Sequence, residues 1–151
     1  FRVFADECYS EIYREEPPVG ILEVANKIGT NPENVVSFHS LSKRSNMAGL
    51  RSGFVASGKN NISAIKKLRA YAGAPLPLPL QRVAEKLWKD ESHVEINRNL
   101  YKEKFIVADK IFSDVESYNS PEAGFFLWLE VQDDEEATKR PIQYERSKKS
   151  T

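Results

Sequence analysis

The sequence has 151 residues, 40% of them hydrophobic, so it can bury one core, which excludes a wholly disordered chain. Its 22 basic and 22 acidic side chains give a formal net charge of +0, so neither nucleic acid nor an anionic membrane surface is predicted as a partner. A single cysteine excludes an internal disulfide framework, and no export leader or long apolar run is visible, which predicts a cytoplasmic protein.

The first predicted elements are strands and a helix in alternation. Residues 2–5 (RVFA) form a short apolar strand, and because the sequence opens inside it, we expect a segment of a longer protein. A helix is predicted over residues 21–28, ending at Gly29, followed by a turn at 31–34 and a buried strand at 35–39. Another strand, between the glycines at 53 and 58, completes an order that is typical of an α/β layer.

From Asn61 the pattern becomes helical and predicts a helix that ends before Gly73. Prolines alternate in residues 74–79 (APLPLP), so this stretch is predicted to be an extended connector and a boundary between layers or domains. A capping box at residues 92–95 (SHVE) predicts a long helix that runs to Val115. The helix between connector and capping box has an apolar stripe: Leu80, Val83, Ala84, Leu87 and Trp88.

The C-terminal part is predicted to contain one more strand. A turn at residues 119–121 precedes residues 125–131, where four alternate side chains share one face: Phe125, Leu127, Leu129 and Val131. The acidic run at 133–136 suits the first turn of a helix. Residues 139–151 are polar, with too few apolar groups to offset the entropy cost of ordering, and are predicted to be disordered.

Residues 40–53 (SLSKRSNMAGLRSG), the lysine segment, allow three interpretations. In the first, Lys43, Arg44 and Arg51 are ordinary surface residues of a loop. In the second, residues 40–43 are the Ser-x-x-Lys of penicillin-recognising acyl transferases, but their Ser-Asp-Asn and Lys-Thr-Gly motifs are missing from the sequence. In the third, the Lys43 amine is the covalent anchor of an aldehyde cofactor whose phosphate binds the nearby hydroxyls and Arg51.

The third interpretation also requires a carboxylate upstream. Pyridoxal phosphate needs one to keep its pyridine nitrogen protonated, since that charge makes the ring an electron sink. Asp6 follows the first predicted strand, at the end where α/β sheets gather ligand groups. Tyr9, a short step beyond, can donate its phenol to the ring oxygen of the cofactor.

Three motifs, ADECY at 5–9, SLSK at 40–43 and GLRSG at 49–53, occur in order at suitable spacing. With PEAGFFLW at 121–128, they make residues 1 to about 138 resemble the class I and II aminotransferases, which are fold-type I pyridoxal phosphate enzymes. The resemblance implies a fragment of the α/β aspartate aminotransferase-like fold. Residues 1–75 would be the later part of a large cofactor domain with a mainly parallel sheet, and residues 76–138 an interdomain helix and the start of a small α+β domain. The general look is nearest to bacterial succinyldiaminopimelate or acetylornithine aminotransferases.

For the site, the resemblance implies that Lys43 forms the internal aldimine and then moves the proton between the substrate α-carbon and the cofactor. Asp6 would pair with the pyridinium and Tyr9 with the ring oxygen. The phosphate would be held by three groups: Ser40, Ser42 and Arg51. The implied reaction transfers an amino group between an amino acid and a 2-oxo acid, as in amino-acid biosynthesis, in a homodimer. Because the family's glycine-rich phosphate loop and substrate-carboxylate arginine are not seen, this chain alone is expected to be incomplete.

Two alternatives stay open at this point. The same frame of Asp, Tyr, Lys and Arg can carry a C–S lyase or a decarboxylase. The chain could also be a catalytically inactive fragment that serves as an interaction module.

Several other residues are given no site role. His39 is interpreted as a packed or hydrogen-bonded neighbour, and Cys8 is expected to face away from Asp6 and Tyr9 if the strand pleat continues. Because His93 and Cys8 have no ligand spacing, no metal site is predicted. Two aromatic residues are predicted to belong to the core: Trp88 and Trp128.

Overall fold

The computed structural model describes residues 1–139, and its sheet has three strands. These are β1 (Val3–Asp6), β2 (Val35–Ser40) and β3 (Gly53–Ser57), in the spatial order β1-β2-β3. β1 runs parallel to β2, whereas β3 runs antiparallel to it. The three strands predicted for this half of the chain are therefore confirmed.

Apart from a helical stretch at residues 134–139, five helices occur in the described part of the chain. α1 (Ile21–Lys27) is capped by Ile28 and followed by Gly29, whose φ of 66° is the left-handed conformation that glycine adopts without strain. α2 (Leu41–Arg44) follows β2 directly and was not predicted. The others are α3 (Lys59–Tyr71), α4 (Leu78–Lys89) and α5 (Ser92–Ile111), and short 3-10 turns lie at Pro32–Asn34 and Ala48–Leu50.

Two buried groups lie next to the lysine segment, one on β2 and one between α2 and α4. Val36 and Ser37 on β2 are almost fully buried, as expected of a central strand. A second cluster joins α2 to α4 through apolar contacts among five residues: Leu41, Leu50, Ala84, Leu87 and Trp88. The predicted core position of Trp88 is thus confirmed, although Leu80 and Val83 of the same stripe are exposed.

Two helix starts differ from the prediction. The connector ends at Pro77, because Pro79 fits the first turn of α4, where a backbone N–H has no helical partner. The capping box is wrong: the Ser92 amide and hydroxyl donate to Oδ1 of Asp90, at 3.0 and 2.6 Å. Hydrogen bonds from Ser92 and His93 lower the pKa of Asp90 to about 2. α5 ends at Ile111, before the predicted Val115.

The strand predicted over residues 125–131 is wrong. Within residues 1–139 this region makes one isolated bridge, between Leu129 and Tyr118, and a second isolated bridge, between Ala123 and Tyr13, lies just before it. A strand needs consecutive pairing, which single bridges do not supply. Trp128 is 86% exposed here, so its predicted core position is wrong as well.

The acidic run behaves as predicted. Residues 134–139 are helical, and Oδ1 of Asp133 accepts a hydrogen bond from the Glu136 amide at 2.8 Å, as an N-cap does. The predicted disordered tail lies outside the described residues, except for Lys139. Across residues 1–139 we find no helix with the length and apolar character needed to cross a membrane. The domain boundary at residues 75 and 76 stays a prediction.

Candidate active site

The first candidate residue, Asp6, is the last residue of β1 and lies opposite Phe38 on β2. Its Oδ1 accepts a hydrogen bond from the Cys8 amide at 3.2 Å. Hydrogen bonds from Cys8, and to a smaller extent the charge of Lys43, lower the pKa of Asp6 below its usual 3.8. The carboxylate is therefore ionised at neutral pH.

Cys8 does not face away from Asp6 as expected, because the strand pleat ends at Asp6 and Cys8 lies in the following turn. Its Sγ lies 4.0 Å from the carbonyl oxygen of Phe38. Burial, together with the hydrogen bond and negative charge of Asp6, raises the pKa of the Cys8 thiol to about 11. The thiol is thus protonated next to an ionised carboxylate.

Lys43 is brought to Asp6 and Tyr9 by α2. Ser40, the last residue of β2, caps this short helix, since its Oγ accepts a hydrogen bond from the Ser42 amide at 3.1 Å. The Nζ of Lys43 lies 5.4 Å from the centre of the Tyr9 ring, a cation–π distance. The end of β1, the turn after it and α2 therefore bring three of the predicted residues together: Asp6, Tyr9 and Lys43.

The three predicted phosphate ligands are only partly brought together. The Ser40 hydroxyl donates to the Ser42 hydroxyl at 2.8 Å. Arg51 adopts a left-handed backbone with φ of 55°, and its Nη1 donates to the carbonyl of Ala48 at 3.0 Å. No described contact joins its guanidinium to either serine, although Gly53, two residues later, pairs with Ser40 in the sheet.

Two clefts accompany these groups. A cleft of about 330 Å³ opens at Asp6 and Tyr9, and its other lining residues are Glu7, Ser10, Pro18, Val19, Gly20, Ala123 and Gly124. A second cleft, of about 400 Å³, contains Arg51 together with Arg69 and residues 74–77. Asp6 and Arg51 therefore face different clefts in the described part of the chain.

Tyr9 is held by aromatic contacts from the far end of the described chain. The centre of its ring lies 5.1 Å from that of Phe125 and 5.8 Å from that of Phe126. The Gly124 amide donates to the carbonyl of Ile12 at 2.8 Å, which fastens the two segments. The PEAGFFLW motif thus lies beside the Tyr9 turn.

Glu7 is a site residue that sequence reasoning missed. Its Oε1 accepts from the Ile21 amide at 2.6 Å, and its Oε2 accepts from the Ser37 hydroxyl at 2.6 Å. The Nε2 of His39 lies 3.1 Å from the same Oε2, and its ring stacks on Phe54, so His39 is the hydrogen-bonded neighbour that the sequence suggested. The only signal for Glu7 was its place between Asp6 and Tyr9.

Arg44 was missed too, because no local pattern indicates that it is buried. It is 5% exposed, its Nη1 donates to the carbonyl of Leu87 at 2.9 Å, and it forms an ion pair with Glu91. Its guanidinium carbon lies 5.2 Å from the centre of the Trp88 ring. The interpretation as a loop surface residue is therefore wrong for Arg44. Among residues 1–139, no group of three or more His, Cys, Asp or Glu side chains is placed to hold a metal ion.

Comparison with known proteins gives one consistent result. The chain is 32% identical over 124 residues to the 4-dedimethylamino-4-oxo-anhydrotetracycline transaminase OxyQ of Streptomyces rimosus, covering 82% of this chain and 34% of that protein. It superposes on an aminotransferase from Neisseria meningitidis Z2491 with a TM-score of 0.82 and 42% identity, over 88% of this chain and 34% of the other. For aminotransferase AspB from Helicobacter pylori 26695 the TM-score is 0.85 and the identity 38%, over 95% and 38%.

The family model for aminotransferase class I and II matches residues 1–146. The chain spans about a third of the length of the relatives that it matches. The matched residues contain all of the motifs from which the family was predicted. The predicted family, fold and pyridoxal phosphate cofactor are therefore confirmed. The chain belongs to the class I and II aminotransferases.

Proposed function

We propose that this chain is the part of a pyridoxal phosphate-dependent aminotransferase that anchors the cofactor through Lys43. The observation that carries the proposal is the position of the Lys43 amine over the Tyr9 ring, close enough to Asp6 to lower the pKa of its carboxyl group. A lysine, a carboxylate and a phenol at the end of a strand are the groups that such a cofactor requires.

The donor set has the chemistry that pyridoxal phosphate requires, with Asp6 and Arg51 at two different clefts. Asp6 is ionised and can hold a protonated ring nitrogen. The hydroxyls of Ser40 and Ser42 lie together where β2 meets α2, and a hydroxyl can donate a hydrogen bond to a phosphate oxygen. Arg51 uses one guanidinium nitrogen for Ala48, which leaves other donors for a phosphate oxygen.

Each residue then has a defined role in the proposed reaction. When bound, pyridoxal phosphate supplies an electron sink that stabilises negative charge at the substrate α-carbon. Asp6 would keep the ring nitrogen protonated, and Tyr9 would donate a hydrogen bond to the ring oxygen. Lys43 would make the covalent link at Nζ and, once displaced by substrate, carry the proton that leaves the α-carbon. Ser40, Ser42 and Arg51 would hold the phosphate in place.

The substrates are an amino acid and a 2-oxo acid in this proposal. We also propose that the aminotransferase is of the succinyldiaminopimelate or acetylornithine type. A relative from Maridesulfovibrio salexigens, 27% identical, is an LL-diaminopimelate aminotransferase, which makes amino-acid biosynthesis a reasonable setting. A homodimer, a cytoplasmic location and a domain boundary at residues 75 and 76 complete the proposal.

The test is to trap the cofactor on the chain. The purified chain is mixed with pyridoxal phosphate and reduced with borohydride, and the phosphopyridoxyl adduct is located by peptide mass mapping. Lys43→Ala is compared with Lys66→Ala, which removes an exposed lysine from α3. A dominant adduct at Lys43, lost in Lys43→Ala and retained in Lys66→Ala, supports the proposal. Adducts scattered over surface lysines would overturn it for this chain.

Product analysis separates the alternative reactions. An aminotransferase converts an added 2-oxo acid to an amino acid, whereas a C–S lyase releases a thiol and a decarboxylase releases carbon dioxide. The assay is run on unreduced protein with added pyridoxal phosphate and an amino-acid donor, after trapping on a separate sample has located the adduct at Lys43, because the reduced adduct can no longer exchange with a substrate amine. Complete absence of that adduct would instead favour the inactive interaction module.

A further inference from the structure

α5 holds the backbone of the lysine segment through two side chains on one face. Asn97 donates from Nδ2 to the carbonyl oxygen of Lys43 at 3.1 Å. His93, one turn earlier, places Nε2 at 2.8 Å from the Ser45 hydroxyl. Residues four apart lie on the same face of a helix, so one face of α5 reaches two positions of the segment that contains Lys43.

The residue between these two contacts is fixed from α4. Arg44 is buried, donates to the carbonyl of Leu87 and pairs with Glu91, just before α5 begins. Three consecutive residues, 43 to 45, are therefore tied to one helical hairpin. Because α2 has only 4 residues, its own hydrogen bonds cannot fix its direction.

α5 also holds the turn that carries Tyr9. Arg98, the neighbour of Asn97, donates from Nε to the carbonyl of Glu11 at 3.0 Å and from Nη2 to its carboxylate at 2.9 Å. Its guanidinium lies 4.1 Å from the centre of the Tyr13 ring. One helix therefore sets the position of Lys43 relative to the turn that follows β1.

We infer that Asn97 is a positioning residue for Lys43: by fixing the Lys43 carbonyl it holds the amine over the Tyr9 ring. This inference rests on the proposed function, because Lys43 is the proposed cofactor anchor. Asn97 does not touch the cofactor or the substrate in this proposal. It acts through the backbone of Lys43, and its side chain is half-buried at that contact.

The test compares Asn97→Ala with Asn99→Ala. Both remove an asparagine side chain from the interior of α5, so the gain in helix propensity is the same. The Asn99 residue is exposed, however, and its side chain makes no hydrogen bond in the described part of the chain. Two quantities are measured: the apparent dissociation constant for pyridoxal phosphate adduct formation at Lys43, and the hydrogen exchange rate of the Ser45 amide, which donates to the carbonyl of Leu41.

We expect Asn97→Ala to raise that dissociation constant by about fivefold, the effect of losing one hydrogen bond, and Asn99→Ala to leave it unchanged. The Ser45 amide should also exchange faster in Asn97→Ala alone. Equal adduct formation in both variants would overturn the inference and leave the proposed function standing.

A wild-type chain without an adduct at Lys43 would overturn the proposed function instead. Exchange of the Ser45 amide then decides the inference about Asn97. Faster exchange in Asn97→Ala alone would support the anchoring of the segment, and equal exchange in the two variants would refute it.

Discussion

Asp6 and Cys8, two positions apart, shift each other's pKa through a hydrogen-bonded contact. The carboxylate contributes to the rise in the pKa of the Cys8 thiol to about 11, after burial, and Cys8 is the chief cause of the low pKa of Asp6. The thiolate is the species that reacts with alkylating reagents. We therefore expect Cys8 to react about a hundredfold more slowly with iodoacetamide near pH 8 than an ordinary cysteine.

The measurement is the alkylation rate as a function of pH. Because the sequence contains one cysteine, the rate can be assigned to Cys8. The rate should rise through a midpoint near the pKa of about 11. Asp6→Asn removes the negative charge and should move the midpoint downward, while Asp114→Asn, at an exposed position, should not. A midpoint that is the same in the wild type and in Asp6→Asn would contradict the proposed coupling.

The site residues that could be proposed from the sequence are those that lie in a short motif of chemically related groups. Lys43 with its hydroxyl neighbours, and Asp6 with Tyr9, were proposed in this way. Glu7, Arg44 and Asn97 could not be, because their partners lie far along the chain: Asn97 contacts Lys43 across 54 positions. An asparagine inside a polar helix face carries no local signal of such a contact.

Among the elements, the β2–β3 pair positions the lysine segment between its two strands. Ser40 pairs with Gly53 where the strands meet the segment. A Cβ atom at Gly53 would overlap the carbonyl oxygen of His39, which is backbone and cannot move without disturbing this pairing. We expect Gly53→Ala to lower the free energy of unfolding by about 1–3 kcal/mol.

Gly49→Ala is the matched control for that substitution. It lies in the same segment, a Cβ atom there would meet nothing within 4 Å, and its φ is not positive. Urea unfolding of the two variants should show a loss of stability at Gly53 and little change or a small gain at Gly49. A loss of equal size at both positions would mean that crowding at His39 is not the cause.

Elements were predicted well where periodicity and turn residues agreed and poorly where an element depends on its partner. α1, β2 and α3 carry a clear pattern: the two helices end two residues before a glycine, and β2 begins directly after the turn at residues 31–34. Residues 125–131 alternate as a strand does, yet a strand forms only where a neighbour pairs with it, and the sequence does not specify the neighbour. The start of α5 was misread because Asp90 competes with Ser92 for the cap.

At the scale of the whole molecule, the turn after β1 is joined to the end of the described chain. The Arg14 amide donates to the carbonyl of Glu122 at 2.9 Å, and Tyr13 bridges to Ala123. These contacts cross the predicted domain boundary at residues 75 and 76. The turn that carries Tyr9 therefore depends on residues more than a hundred positions later.

Asp109 is the centre of that junction. Its Oδ1 accepts from the hydroxyls of Ser120 and Tyr118, each at 2.6 Å, and its Oδ2 lies 2.9 Å from Nη1 of Arg14. These hydrogen bonds, that of Ser120 first, lower the pKa of Asp109 below 3.8. A lowered pKa in the folded state means that the stabilisation is present above the unfolded value and is lost as the pH falls through the folded one.

We therefore expect the stability of Asp109→Asn to depend less on pH in the acid range than that of the wild type. Between about pH 7 and about pH 3 the wild-type melting temperature should fall further than that of the variant, because only the wild type has this carboxylate to protonate. The melting temperatures of the wild type and the variant are measured by thermal unfolding followed by circular dichroism, with Asp114→Asn as the exposed control. Parallel curves for the wild type and Asp109→Asn would show that the junction is not held by this charge. If the melting temperature of Asp109→Asn depends less on pH than that of the wild type, the turn that carries Tyr9 is stabilised by a contact that is lost when Asp109 is protonated.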